Sequence, residues 1–188
     1  MTSIEEHYCK EPNKFPLNSF HQHGLGQGKH ILIVGESPAE NGWRKSGKAF
    51  YNTDGKILAS GKRLNLLLSE FGLSVETCGF TELAKCFVGK NRKALFICSK
   101  GCWSIFLKQL RSEDYKLIIL LGVQTLTIFN KLANLNLEIG KLQSSQFNGK
   151  TYNFLPIYHP SPINPYSFRK NKVIFGNCKE QILRTIKI

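Results

Sequence analysis

The chain has no apolar run that could cross a bilayer: the longest, Leu117 to Val123, falls far short of the roughly 20 residues a spanning helix needs. No membrane partner is expected. The first residues, Met1 to Glu11, contain acids and no apolar segment, so neither a secretory signal nor a transit peptide is expected, and a cytoplasmic location follows. The six cysteines include no C-x-x-C pair, which argues against a zinc ribbon or a thioredoxin-like site. In a cytosolic chain they are not expected to form disulfides. The pattern G-x-x-x-x-G-K-[ST] is absent, and with it the nucleotide hydrolases that depend on a P-loop. Acids are few: 13 Asp plus Glu stand against 26 Lys plus Arg, a formal charge of +13, and Asp54 is one of only two Asp.

What is present describes a folded domain. At 188 residues the length suits a single domain, and 41% hydrophobic residues with 13 Phe make the chain too apolar for disorder. The positive charge is unevenly spread. Residues 1 to 50 carry six basic and five acidic side chains, whereas residues 151 to 188 carry six basic ones against Glu180 alone. Clustered cations favour a polyanion, nucleic acid before membrane, because they displace counterions from phosphates. A lysine-rich domain without such a partner is the alternative, and motifs must decide.

Residues 1 to 29 contain Pro12, Pro16, Gly24, Gly26 and Gly28 and read as an irregular arm. Ile31 to Val34 reads as a buried strand, followed by a polar loop from Gly35 to Gly55. Leu58, Leu64, Leu67, Leu68 and Phe71 recur at helical spacing, and Gly72 stops that helix. Gly79 to Ala84 and Lys116 to Leu121 read as strands, Cys102 to Leu110 and Gln124 to Leu132 as helices. Leu142 to Leu155 reads as a hairpin turning at Asn148-Gly149. A polar loop from Tyr158 to about Lys170 then precedes a C-terminal helix. The alternation predicts an α/β fold: three layers, αβα, around a central, mostly parallel four-stranded sheet. Ligands in such folds sit beyond the carboxyl ends of the strands, which points to the loops after Val34, Ala84 and Ile157.

Of the five His, only His159 lies beyond residue 30. It follows a predicted strand in Ile157-Tyr158-His159-Pro160-Ser161-Pro162, where the prolines restrict the backbone; a structural His in a turn is the alternative. The loop Gly35-Glu36-Ser37-Pro38-Ala39-Glu40 begins with a glycine that lets backbone N–H groups approach a ligand. In Gly47-Lys48-Ala49-Phe50-Tyr51, the aromatics are either core plugs or stacking surfaces for a base.

Gly35-Glu36-Ser37-Pro38-Ala39, Gly47-Lys48-Ala49-Phe50 and His159-Pro160-Ser161 together resemble the active-site motifs of the uracil-DNA glycosylase superfamily. The match is to its prokaryotic family-four and family-five members, which read G-E-x-P-G or G-L-A-P-A, then G-R-x-F, then H-P-S or H-P-A. Thr81-Glu82-Leu83-Ala84-Lys85-Cys86 with Asn91-Arg92 is similar to the family stretch T-N-V-V-K-C or T-A-A-V-R-C and its nearby N-R. The resemblance covers residues 31 to 165 and implies a glycosylase-like domain over 30 to 188. It implies an enzyme that flips uracil, or a related deaminated base, out of DNA and hydrolyses its glycosidic bond, acting as a monomer. Phe50 would stack on the base, Gly35 and the backbone of Glu36 and Ser37 would line the pocket, and His159 would steady charge on the leaving base. Glu36, Glu40 and Asp54 are the acids available to position water; Asp54 stands four residues after Phe50, where the family-five Asp stands three after its Phe. Ser161, Asn164, Tyr166, Arg169, Lys170 and Lys172 would grip the DNA, with apolar wedges among the cations.

The chain also departs from the pattern. Glu82 stands where family-four members carry an Asn that reads the uracil edge, as family five also lacks that Asn. Both families carry a four-cysteine [4Fe–4S] cluster; Cys9, Cys86 and Cys102 match three of its ligands, Pro12 stands at the fourth, and Cys98 is the alternative there. A catalytically weak DNA-binding protein of this fold, or a pocket that links covalently to uracil, are the competing readings.

Overall fold

The computed structural model describes residues 30–40, 42–89 and 92–186, together with residues 8, 10 and 13. The expected arm over 1–29 therefore lies almost wholly outside the described residues. Strand β1 (Ile31–Gly35) is followed by the short helix α1 (Trp43–Ser46), helix α2 (Ala59–Leu68), strand β2 (Gly79–Glu82) and helices α3 (Arg92–Gly101) and α4 (Trp103–Arg111). Strand β3 (Leu117–Leu121), helix α5 (Val123–Ala133), the hairpin β4 (Gln143–Phe147) and β5 (Lys150–Ile157), and helices α6 (Pro165–Asn177) and α7 (Lys179–Ile186) complete the order. No helix among the described residues is long and apolar enough to cross a membrane.

The sheet runs β2-β1-β3-β5-β4. β1 pairs in parallel with β2 and β3, β3 in parallel with β5, and β4 antiparallel to β5. Every residue of β1 and β3 is buried, as continuous apolar strands covered on both faces must be. Leu32, Val34, Ile118, Leu120 and Phe154 face one helical layer with Leu95, Phe106 and Phe129. Ile31, Ile33, Leu117, Ile119 and Leu155 face the other, with Leu64, Leu68, Phe175 and Ile182. This is the expected αβα sandwich.

Three details differ from expectation. The sheet has five strands rather than four, because Gln143–Phe147, alternately half-buried and exposed, joins as an antiparallel edge rather than standing off as half of a free hairpin. Helix α3 was not expected; its apolar stripe is thin, with Leu95 and Cys98 buried beside the polar Ser99. The segment assigned to a polar loop up to Lys170 is helical from Pro165. Asn164 caps it, its side chain accepting from the N–H groups of Tyr166 and Ser167, with Pro at the first helical position, a start signal carried by side-chain chemistry rather than by hydrophobic period.

Candidate active site

β1 is paired with β2 on one side and β3 on the other, so the chain reverses direction across the sheet here. The gap opened beyond the strand ends is the usual ligand site of a doubly wound sheet. A pocket of about 480 Å³ occupies it, walled by Gly35, Glu36 and Ser37 after β1, Glu82 at the end of β2, Leu121 to Gln124 after β3, and His159 after β5. Phe50 and Trp43 close its side.

Phe50 is held in an uncommon backbone state, φ 64°, which a bulky residue adopts only when its surroundings require it. Leu58 N–H donates to its carbonyl at 2.7 Å, and its ring meets Phe80 edge-on at 4.8 Å between centroids. Gly61 allows this close approach, since a Cβ there would lie 2.8 Å from the Phe50 Cβ. Tyr51 turns away: its hydroxyl donates to Glu76, which Lys48 Nζ also meets at 2.8 Å. Of the two aromatics, Phe50 alone belongs to the pocket.

His159 is fixed from three sides. Asn171, buried in α6, receives a hydrogen bond from Tyr158 N–H at 3.0 Å and returns one to the Tyr158 carbonyl at 2.7 Å. Arg63 donates to the Ser161 carbonyl at 2.6 Å. Gly122, at φ +98°, lies against the His159 Cβ and its N–H donates to the Ile157 carbonyl at 2.8 Å. The ring keeps solvent access, yet protein crowds it on the rim, and this desolvation moves its pKa below the ordinary 6.5 against the opposing pull of Glu36. The imidazole is neutral at pH 7, with one ring N–H to donate.

Glu82 is the buried acid of the site. Trp43 Nε1–H donates to its Oε2 at 2.5 Å. Burial pushes the carboxyl up to about 8, with the Trp43 bond and the Lys85 charge opposing. Lys85, fully buried, donates to Thr81 Oγ1 at 2.6 Å and to the Glu82 carbonyl, and burial draws its ammonium down to about 7. The Thr81 hydroxyl donates onward to Gln109 Oε1 at 2.5 Å, tying the end of β2 to α4.

The structure thus brings Gly35, Glu36, Ser37, Phe50, Glu82 and His159 together. It does not bring Glu40 or Asp54: both are exposed, outside the pocket wall, and Asp54 is engaged in a turn whose N–H groups donate to Asn52. Ser161 follows the His159 turn, and Tyr166, Arg169, Lys170 and Lys172 are exposed on α6. Asn164 caps that helix. Ile163, beside them, is 92% exposed.

Cys86, Cys98 and Cys102 are each buried. The Cys86 and Cys102 side chains hydrogen-bond to each other, and this contact, with burial, holds the Cys102 thiol above its usual range. Tyr8 N–H donates to Cys86 Sγ at 3.1 Å, and the Lys85 ammonium lies near Cys102. A donor N–H and a buried cation beside soft sulfur ligands suit an anionic thiolate–iron group. Among the described residues no three His, Cys, Asp or Glu converge on one metal position, and Cys9 lies outside the described residues.

Sequence reasoning missed six contributing residues. Gly122, Val123 and Gln124 carried the same signal as Gly35, a glycine ending an apolar strand. Trp43 had none beyond being a large residue in a polar loop. Asn171 and Arg63 act through contacts distant in sequence.

A mostly parallel sheet with helices on both faces, and a pocket at its switch point lined by an aromatic ring, a neutral imidazole and a buried acid, describe an α/β protein with a ligand-sized cavity beyond its strand ends. Comparison with known proteins narrows this. The model of the Uracil DNA glycosylase superfamily matches residues 23–183, and the chain belongs to that superfamily. It is also 31% identical over 144 residues to the Type-4 uracil-DNA glycosylase of Saccharolobus solfataricus, an alignment covering 73% of this chain and 64% of that protein. The chain therefore spans just under two thirds of that relative's length.

Proposed function

We propose that the chain is a monofunctional DNA glycosylase that excises uracil, or a related deaminated base, from DNA in base excision repair. The observation that carries this reading is the pocket of about 480 Å³ that gathers Phe50, Glu36, Glu82 and His159 from four separate segments in a chain of this superfamily. A base inside a duplex must leave the stack to reach such a pocket. Phe50 stacks on the flipped base. Glu36 aligns a water against C1′; the water oxygen bonds to C1′, its proton passes to Glu36, and the glycosidic C1′–N bond (N1 of uracil, N9 of hypoxanthine) breaks with its electron pair leaving on the base. Neutral His159 donates its ring N–H to the carbonyl where that charge collects. Because the imidazole is already neutral, this bond strengthens as charge develops without a proton having to move.

The exposed cations Arg169, Lys170 and Lys172 on α6, with Ile163 and Tyr166 before them, support a DNA-binding face next to the pocket. We infer further that Cys9, Cys86 and Cys102, with Cys98 as the alternative fourth ligand, would hold an iron–sulfur cluster. Such a cluster would supply thiolate–iron ligation as a structural group; the reaction above does not pass through it.

The test is release of base from single- and double-stranded oligonucleotides containing uracil or hypoxanthine, scored as an alkali-labile site. His159→Ala and Phe50→Ala lose base release and keep binding to undamaged DNA. No release from any substrate refutes the reading, and salt-sensitive DNA binding without release supports the catalytically weak alternative. Purification under nitrogen gives brown protein with iron and sulfide in the cluster ratio; colourless, iron-free protein refutes the cluster.

A further inference from the structure

The Glu82 carboxyl is a polar group at the end of β2 whose two oxygens differ. Oε2 accepts the Trp43 Nε1–H bond at 2.5 Å. Oε1 receives no hydrogen bond among the described residues and lies beside the Gly35 wall, where a Cβ at residue 35 would reach within 3.5 Å of it. The residue is 7% exposed, and what exposure it has is to the pocket. Resting on the glycosylase reading, we propose that Glu82 reads the incoming base as a neutral carboxylic acid, Oε1–H donating to a ring carbonyl and Oε2 accepting from the adjacent ring N–H.

The hydrogen-bond inventory requires the neutral form. A carboxylate only accepts, so it would face a ring carbonyl with a second acceptor, whereas the protonated acid offers one donor and one acceptor. Trp43 decides which oxygen carries the proton: an N–H bond to Oε2 favours the carbonyl there and leaves the hydroxyl on Oε1, much as a second partner fixes a histidine tautomer. The carbonyl's other lone pair remains for the base. The surroundings act in the same direction. Burial dominates, Glu36 across the pocket discourages a second negative charge, and Lys85 behind β2 and Arg44 on α1 oppose without overturning it; His159, on the opposite rim, is itself neutral.

The pattern has a chemical consequence. Cytosine and adenine present an amino group beside a ring nitrogen that accepts. Deamination turns the amino group into a carbonyl and the ring nitrogen into N–H, reversing both partners. Uracil and hypoxanthine thus share the pair that a proton fixed on Oε1 complements, and their parents meet donor against donor and acceptor against acceptor, the mismatch that costs most in a desolvated site. The residue recognises the deamination product rather than one ring, and the pocket of about 480 Å³ places no pyrimidine-sized limit on it.

The full chain, wild type and Glu82→Gln, is titrated with free uracil, hypoxanthine, cytosine and 3-methyluracil from pH 6.5 to 9.5, reading tryptophan fluorescence, with a thermal melt to confirm folding. The amide copies the donor and acceptor of the neutral acid and cannot ionise. Wild type binds uracil and hypoxanthine at pH 7 and neither cytosine nor 3-methyluracil, and its uracil affinity falls about tenfold per pH unit above about pH 8, roughly thirtyfold by pH 9.5. Glu82→Gln binds uracil within about threefold of wild type at pH 7 and lacks that fall. The bases' own ionisation is common to both proteins, so the difference isolates Glu82. Failure of wild type to bind uracil at pH 7, the same profile in both proteins, or loss of uracil binding in folded Glu82→Gln overturns the proposal. Wild type that binds with this profile but releases no base from DNA leaves the proposal standing and overturns the glycosylase reading.

Discussion

Gly122→Ala separates a pocket held by backbone geometry from one held only by its side chains. Gly122 sits at φ 98°, ψ 157°, a region essentially reserved for glycine, where another residue costs about 1–3 kcal/mol. The added methyl also points at His159, reaching its Cβ at 3.3 Å, and the rigid turn through Pro160 gives it little room to yield. If the backbone rotates instead, the 2.8 Å bond from Gly122 N–H to the Ile157 carbonyl is lost, and the strand leading to His159 moves with it. Either route displaces the imidazole, and a displacement of about 1 Å at a reacting group can cost roughly a hundredfold in rate. Urea unfolding measures the stability change, and uracil release, run well below the melting temperature of either protein, measures the rate. Gly72→Ala is the control: it too has positive φ, +70°, but no atom lies within 4 Å of its added methyl. It should lose about 1 kcal/mol and no activity. If Gly122→Ala matches wild type in both stability and rate, the argument that β3 and β5 jointly position His159 is wrong.

Asn171→Ala leaves the half-buried N–H and carbonyl of Tyr158 without the Asn171 side chain; a loss of about 1–3 kcal/mol in urea melts is expected, with kcat falling more than KM rises. Replacing Arg169, Lys170 and Lys172 by Gln should flatten the dependence of log Kd on log salt by about 2–3 units for duplex DNA and leave base release in saturating DNA near wild type. Glu82 binds its proton more tightly in the folded chain, up to about 8 against an ordinary 4.5, so its contribution to stability is present below pH 4.5 and lost as pH rises to about 8. Urea melts at pH 5 and 9 should therefore show Glu82→Gln gaining on wild type with rising pH, at up to about 1.4 kcal/mol per unit.

The sheet was legible because its central strands are continuous apolar runs, and the position of the site followed from it: Gly35 to Ser37 and His159 fall where strand ends must lie. The ends of α6 were not legible, since Asn164 and Pro165 signal a helix start through capping, while Tyr166, Arg169 and Lys170 carry no apolar period. The choice among the three acids was likewise beyond the sequence. Glu36, Glu40 and Asp54 look alike as loop carboxylates, and only the continued pairing of β1 with β2, with Ala84 N–H donating to the Glu36 carbonyl at 3.0 Å, keeps Glu36 at the pocket while the other two face solvent. Trp43 was the hardest to see. Its role exists only because Glu82, 39 residues away, is buried beside it.

Two titratable groups lining the pocket are displaced in opposite directions by one cause, desolvation: His159 is pushed down and Glu82 up, so both are neutral at pH 7. On the glycosylase reading, a departing base would carry negative charge into this space. An ionised carboxylate about 4 Å from that charge would oppose it by about 4 kcal/mol at an effective dielectric of 20, more than the imidazole N–H could return at about 1.5–3 kcal/mol for a hydrogen bond to a charged group. A charged imidazolium would favour departure but would also hold any anion, including product. With both groups neutral, the pocket can present N–H and O–H donors to the leaving base that the glycosylase reading requires. The burial that makes Glu82 costly to the fold is thus the same burial that would let an acid line a pocket from which, on the glycosylase reading, an anion forms.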